Sequence, residues 1–66
     1  MKLAEYLFKK VKITDLNGNV FKGYADLYED KEDSGYGEPS IGIILDKDGS
    51  GIEFVESEIK KIELLN

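Results

Sequence analysis

Asn17-Gly18-Asn19-Val20-Phe21-Lys22-Gly23-Tyr24-Ala25-Asp26-Leu27-Tyr28-Glu29 reads as a hairpin turn feeding an alternating strand. Asn17 and Gly18 both tolerate the positive φ of a type I′ turn, so a returning strand is expected directly after them. Phe21, Gly23, Ala25 and Leu27 form one face at a period of two, and Lys22, Tyr24, Asp26 and Tyr28 form the other. Gly23 lacks a Cβ and lets the strand bend or bulge, as closing a small sheet demands.

The first arm of that hairpin lies just upstream, where Val11 and Ile13 alternate with Lys12 and Thr14. Before it, Leu3, Ala4, Leu7, Phe8 and Val11 fall on one helical stripe, so a short helix is expected over 1–10. Lys9 and Lys10 would then sit at the favourable C-terminal end of its dipole. Downstream, residues 29–40 form a long acidic loop. Its stretch 30–38 combines charge and glycine with one large apolar side chain, Tyr36, and is expected to be mobile and dispensable to folding. Ile41, Ile43, Ile44 and Leu45 resume as a strand, turn through Asp46 to Gly51, and return as Ile52 to Val55. Ile59, Ile62, Leu64 and Leu65 read as a last strand entered by a short turn at Glu56 to Glu58. The reading is therefore a single domain over 1–66, mainly β, with a helix over 1–10 and strands over 11–66 in a strongly bent antiparallel five-stranded barrel.

A domain of 66 residues buries only about 60% of the surface its unfolded chain exposes and is thinly stabilised alone. With no cysteine and no histidine, disulfides and thiolate zinc sites are excluded as supports, and self-association is the one that remains. The lack of cysteine suits a reducing compartment, so the cytoplasm is expected. Glu5 interrupts any apolar leader, and the longest apolar run, Ile41 to Leu45, is far short of the roughly 18 residues a membrane helix needs. No membrane role is expected. The net charge is −5, from 14 acidic residues against 9 basic ones, all of them lysine. That balance disfavours non-specific binding to polyanions such as RNA.

The order of elements, and several residues within it, resemble the Sm-like family of small β-barrels. Gly18, Gly23, Tyr28 and Glu29 match the first Sm motif, in which a turn glycine is followed by a strand glycine, an aromatic and an acidic residue. Val55-Glu56-Ser57-Glu58-Ile59-Lys60-Lys61-Ile62 is similar to the second motif as the bacterial RNA-chaperone branch carries it. SH3-like barrels share this strand order. The resemblance implies a ring-forming barrel, with Ile52, Phe54, Val55, Ile59, Ile62 and Leu64 along the edges that meet a second copy. It also locates an RNA site, in which Tyr28, Asp33, Glu56 and Ser57 would be the contacts. RNA-binding members place asparagine near Asp33 and a basic residue near Glu56-Ser57. The carboxylates here are expected to silence that site, which leaves another protein as the expected partner besides a second copy.

Nothing in the sequence assembles a catalytic constellation. Hydroxyl or thiol nucleophiles normally need a histidine base, and a barrel this small has no obvious cleft in which to tune a carboxylate pair. The chain reads as a non-enzyme with no cofactor. Asp46, Asp48, Ser50 and Gly51 match the first positions of a calcium loop, but Ser57 stands where its bidentate glutamate belongs, so a polar turn without metal is expected. Tyr24, Tyr28 and Tyr36 are candidates for a stacking surface, and Lys9, Lys10, Lys12, Lys60 and Lys61 for a basic patch.

Overall fold

Strand alternation governs the fold seen in the computed structural model, which describes residues 1–65. Five antiparallel strands form one sheet: β1 (Lys10–Asp15), β2 (Val20–Glu29), β3 (Ser40–Leu45), β4 (Gly51–Val55) and β5 (Ile59–Leu65), in the spatial order β4-β3-β2-β1-β5. A single 3-10 turn, Leu3–Tyr6, precedes β1, and another, Glu56–Glu58, joins β4 to β5. One face of the sheet carries Val11, Ile13, Ala25, Ile41, Ile43, Leu45, Phe54 and Ile59, all buried, and Leu3 closes over them. Phe21 meets Phe54 edge to face at 5.1 Å between ring centroids, a favoured aromatic geometry.

β2 comes closest to β3 at Gly23. A Cβ there would lie 2.2 Å from the Ile44 carbonyl oxygen, so only glycine lets the neighbouring backbone approach this closely. The bulge falls further along, at Asp26, where the pairing steps from Ala25↔Ile43 to Leu27↔Gly42. That extra residue reverses the alternation beyond it. Leu27, expected on the apolar face, is 47% exposed, while Tyr28, expected outside, packs against the core.

The first hairpin also differs from the two-residue turn expected. Gly18 donates its N–H to the Asp15 carbonyl at 3.1 Å and carries φ 85°, whereas Asn17 keeps a negative φ. The connection is thus the longer kind closed by a left-handed glycine. Asp15 organises it, accepting the N–H groups of Asn17 and Asn19 at 2.9 Å each. Loss of water around its carboxyl acts upward, but the hydrogen bonds from Asn19, Asn17 and Gly18 together hold its pKa below the ordinary value. Their contribution to stability is present above the unfolded pKa of Asp15 and fades as pH falls through the lowered folded one.

The helix expected over 1–10 shrinks to that one turn, because Leu7 is extended, with ψ 135°, and Lys10 already belongs to β1. Helices much shorter than about 12 residues lack the hydrogen bonds to offset nucleation, and pairing with β2 competes for the same backbone. The Phe8 N–H donates to the Ala25 carbonyl at 2.7 Å, and the Ala25 N–H to the Lys9 carbonyl at 2.9 Å. Phe8 is left with φ 65° and 65% of its surface exposed. A left-handed conformation costs a residue with a Cβ about 1–2 kcal/mol, part of which glycine's greater loss of freedom would cancel. Phe8→Gly is therefore expected to raise stability by up to about 1 kcal/mol, read as a higher urea midpoint with an unchanged slope.

Candidate functional site

The sheet leaves two free edges. β4 pairs with β3 alone and β5 with β1 alone, and among the described residues no ladder joins β4 to β5, so the sheet does not close into a barrel. The expected edge residues divide accordingly. Phe54 and Ile59 point into the core, whereas Ile52, Val55 and Ile62 are half-buried and Leu64 is 53% exposed. Ile62 and Leu64 stand opposite Ile13 and Val11, on the core face of the sheet. The apolar face thus runs out to a margin it does not cover.

On the outer face, lysines outnumber carboxylates but are paired with them. Lys12 lies between Lys22 on β2 and Glu63 on β5, Lys61 approaches Glu63 at 3.7 Å, and Lys10 is paired with Asp46. The candidate basic patch is thus interrupted by carboxylates. The three tyrosines do not share a platform either. Tyr24 is exposed on the outer face, Tyr28 packs inward, and Tyr36 lies in the loop.

Two carboxylates, Glu53 and Glu38, are engaged at β4 and the turn after it. Ser40, only 1% exposed, donates its hydroxyl to Glu53 Oε2 at 2.9 Å, and the Tyr36 hydroxyl lies 3.3 Å from Glu53 Oε1. The charge of Glu53 and its hydrogen bond are the main reasons the Tyr36 pKa is raised above its usual value, with Glu58 and Glu29 adding to it. Glu38 accepts both the N–H and the hydroxyl of Ser57, at 2.6 and 2.9 Å. Ser34 donates to the Glu38 carbonyl at 2.6 Å, and the Glu56 N–H to the Pro39 carbonyl at 2.9 Å. The loop expected to be free is therefore fastened at its far end to the turn before β5. Sequence reading missed this because the partners stand 19 residues apart and no local pattern links them. Glu38→Ala is expected to lower stability by about 1 kcal/mol, whereas Glu32→Ala in the untethered part should leave the urea midpoint unchanged.

Of the residues expected at an RNA site, Ser57 gives its N–H and hydroxyl to Glu38 and Tyr28 packs against the core, while Glu56 and Asp33 are bonded through their backbone N–H groups, to the Pro39 carbonyl and to Asp30. Among the described residues no hydrogen bond links Tyr28 or Asp33 to Glu56 and Ser57. The aspartates of the β3–β4 turn are likewise already partnered. Asp48 accepts the N–H and hydroxyl of Ser50, at 3.0 and 2.6 Å, and these bonds hold its pKa below the ordinary value. Asp46 is the partner of Lys10.

Comparison with protein-family models, with curated proteins and with solved structures finds no match to this chain. The geometry therefore stands alone. It consists of a small open sheet with two bare edges, engaged carboxylates at β4 and the turn after it, and a mixed-charge face over β1 and β5. Among the described residues no helix is long and apolar enough to cross a membrane.

Proposed function

We propose that this chain is a non-catalytic Sm-like module, SH3-like in strand order, that binds or scaffolds by self-association and takes another protein as its further partner. The observation that carries the reading is the pair of free edges with half-exposed apolar side chains, Ile52 and Val55 on one and Ile62 and Leu64 on the other. Free edges recruit strands, and a domain of this size gains from burying such a margin. β4 and β5 are different surfaces, so an edge-to-edge contact is head-to-tail and closes as a ring when the rotation permits. The interleaved acids on the lysine face and the engaged Ser57 weigh against RNA as the ligand.

Native mass measurement and light scattering across concentration test the proposal. A closed oligomer is expected, and Leu64→Glu should shift it toward monomer. Monomer alone at high micromolar concentration overturns self-association. Sub-micromolar, sequence-selective binding of uridine-rich or adenine-rich RNA at about 0.15 M salt replaces the reading with an RNA-binding ring of divergent site.

A further inference from the structure

Beside β4, the outer face of the sheet is notched rather than filled. Ser40, Gly42 and Ile44 of β3 face outward, and Gly42 stands between Leu27 on one side and Glu53 on the other. In the next row Ile44 stands beside Gly51. Two glycines where side chains would project leave a groove of about 270 Å³ with backbone for a floor. Leu27 and Asp26 form one wall: the place a Cβ would take on Gly42 is 3.4 Å from Leu27 Cβ and 3.8 Å from Asp26 Oδ1. Ile44 supplies the apolar end, its Cδ1 lying 3.8 Å from the corresponding place on Gly51.

The groove therefore has an apolar throat with carboxylates on opposite rims. Glu53 is held in place by Ser40 and Tyr36 before any ligand arrives, which lowers the ordering cost of binding. Neither Asp26 nor Glu53 has a lysine within 4.0 Å among the described residues, where the two ion pairs are Lys10 with Asp46 and Lys61 with Glu63. An aliphatic stem ending in a cation complements this arrangement at both ends, because lysine and arginine bury their methylenes while keeping the charge at the rim. A neutral apolar chain leaves the carboxylates unanswered, and an anion is repelled by them.

We propose that this groove is a docking site for a lysine or arginine side chain presented by a partner protein, with Glu53 and Asp26 receiving the charge and Leu27 and Ile44 lining the stem. The site gives the protein partner named above a chemical character, a basic segment. It rests on the groove rather than on edge pairing, so a monomeric chain retains it.

Acetyl-lysine amide, with its side-chain amine free, and acetyl-arginine amide are the probes, with acetyl-norleucine amide as the uncharged control. Each is titrated into the ¹⁵N-labelled chain. Saturable shifts are expected at the Gly42, Gly51 and Glu53 amides with the two cations only, at the millimolar strength typical of a single side chain. The Asp26→Asn, Glu53→Gln double variant should weaken binding by about tenfold or more, as loss of a charge-assisted contact implies. Gly51→Leu should fill the groove and abolish the shifts. Its spectrum reports whether the fold survives, and the free space around Gly51 makes survival the expected result. Glu5→Gln, in the Leu3–Tyr6 turn and outside the groove, should bind as the parent does.

Equal shifts with norleucine, or cation shifts spread over every acidic surface and unmoved by the double variant, overturn the proposal. Shifts at Gly42 and Gly51 that follow protein concentration alone assign the groove to a second copy, and overturn it as a site for a different partner. A monomeric mass with the expected titration removes self-association and leaves this site standing.

Discussion

Gly23→Ala is expected to be among the most damaging single methyl groups that can be added to this protein. The new Cβ would lie 2.2 Å from the Ile44 carbonyl oxygen and 2.8 Å from its carbonyl carbon. Both are backbone atoms of β3, so no rotamer change relieves the overlap. Gly23 itself is paired on both sides, with Val11 and Leu45, and cannot retreat without breaking a ladder. Overpacking in a well-packed interior costs about 1–3 kcal/mol, and sometimes more. The absence of any flexible neighbour places this variant at or beyond the top of that range. In a domain of this size each kcal/mol lowers the melting temperature by about 4–8 °C, so a fall of at least about 12 °C is expected. Thermal and urea unfolding at fixed protein concentration measure it, since assembly would otherwise couple to stability. A change below about 1 kcal/mol would mean that β2 does not approach β3 so closely here.

Ile43→Ala produces the opposite defect, a void, in the core beneath β3. Ile43 is 1% exposed and sits between Ala25 on β2 and Ile52 on β4. Ala25 is too small to swing into the space, and the other neighbours are fixed in strands, so the cavity persists. Replacing a buried isoleucine by alanine costs about 2–5 kcal/mol, with the largest values where the site cannot collapse. Small domains sit near the low end of the usual range of about 5–15 kcal/mol in total stability, so a substantial unfolded fraction is expected at 37 °C. Ile43→Val should cost only about 0.5–1.5 kcal/mol. Tyr24→Ala, on the exposed outer face, should cost less than Ile43→Ala. Equal losses for Ile43→Ala and Tyr24→Ala would show that the core is not where the alternation of β3 puts it.

Both predictions turn on β3, and β3 was legible early. Ile41, Ile43 and Leu45 alternate with small or half-exposed residues, and a strand with one buried face must look so. The same logic located β1, β4 and β5, and Gly23 was readable as a special position, expected as a bend or bulge where the structure shows a close approach to the Ile44 carbonyl. The absence of histidine and cysteine removed the commonest nucleophilic sites without reference to any fold. These are local properties, written in the spacing of side chains along a few residues.

What needed the folded molecule was non-local. The bulge at Asp26, which turns Leu27 outward and Tyr28 inward, arises from pairing with β3, and β2's own alternation runs smoothly through it. The helical stripe of Leu3, Leu7 and Val11 is real as a pattern, but the β2 backbone claims the N–H of Phe8 and the carbonyl of Lys9 and ends the turn at Tyr6. The tether from Glu38 to Ser57 closes over 19 residues. The groove over Gly42 and Gly51 exists because register sets two glycines in adjoining rows between Leu27, Ile44 and Glu53. Periodicity assigns a residue to a face of its own strand, whereas register and bulges decide which faces meet, and those depend on hydrogen bonds between segments far apart in the chain.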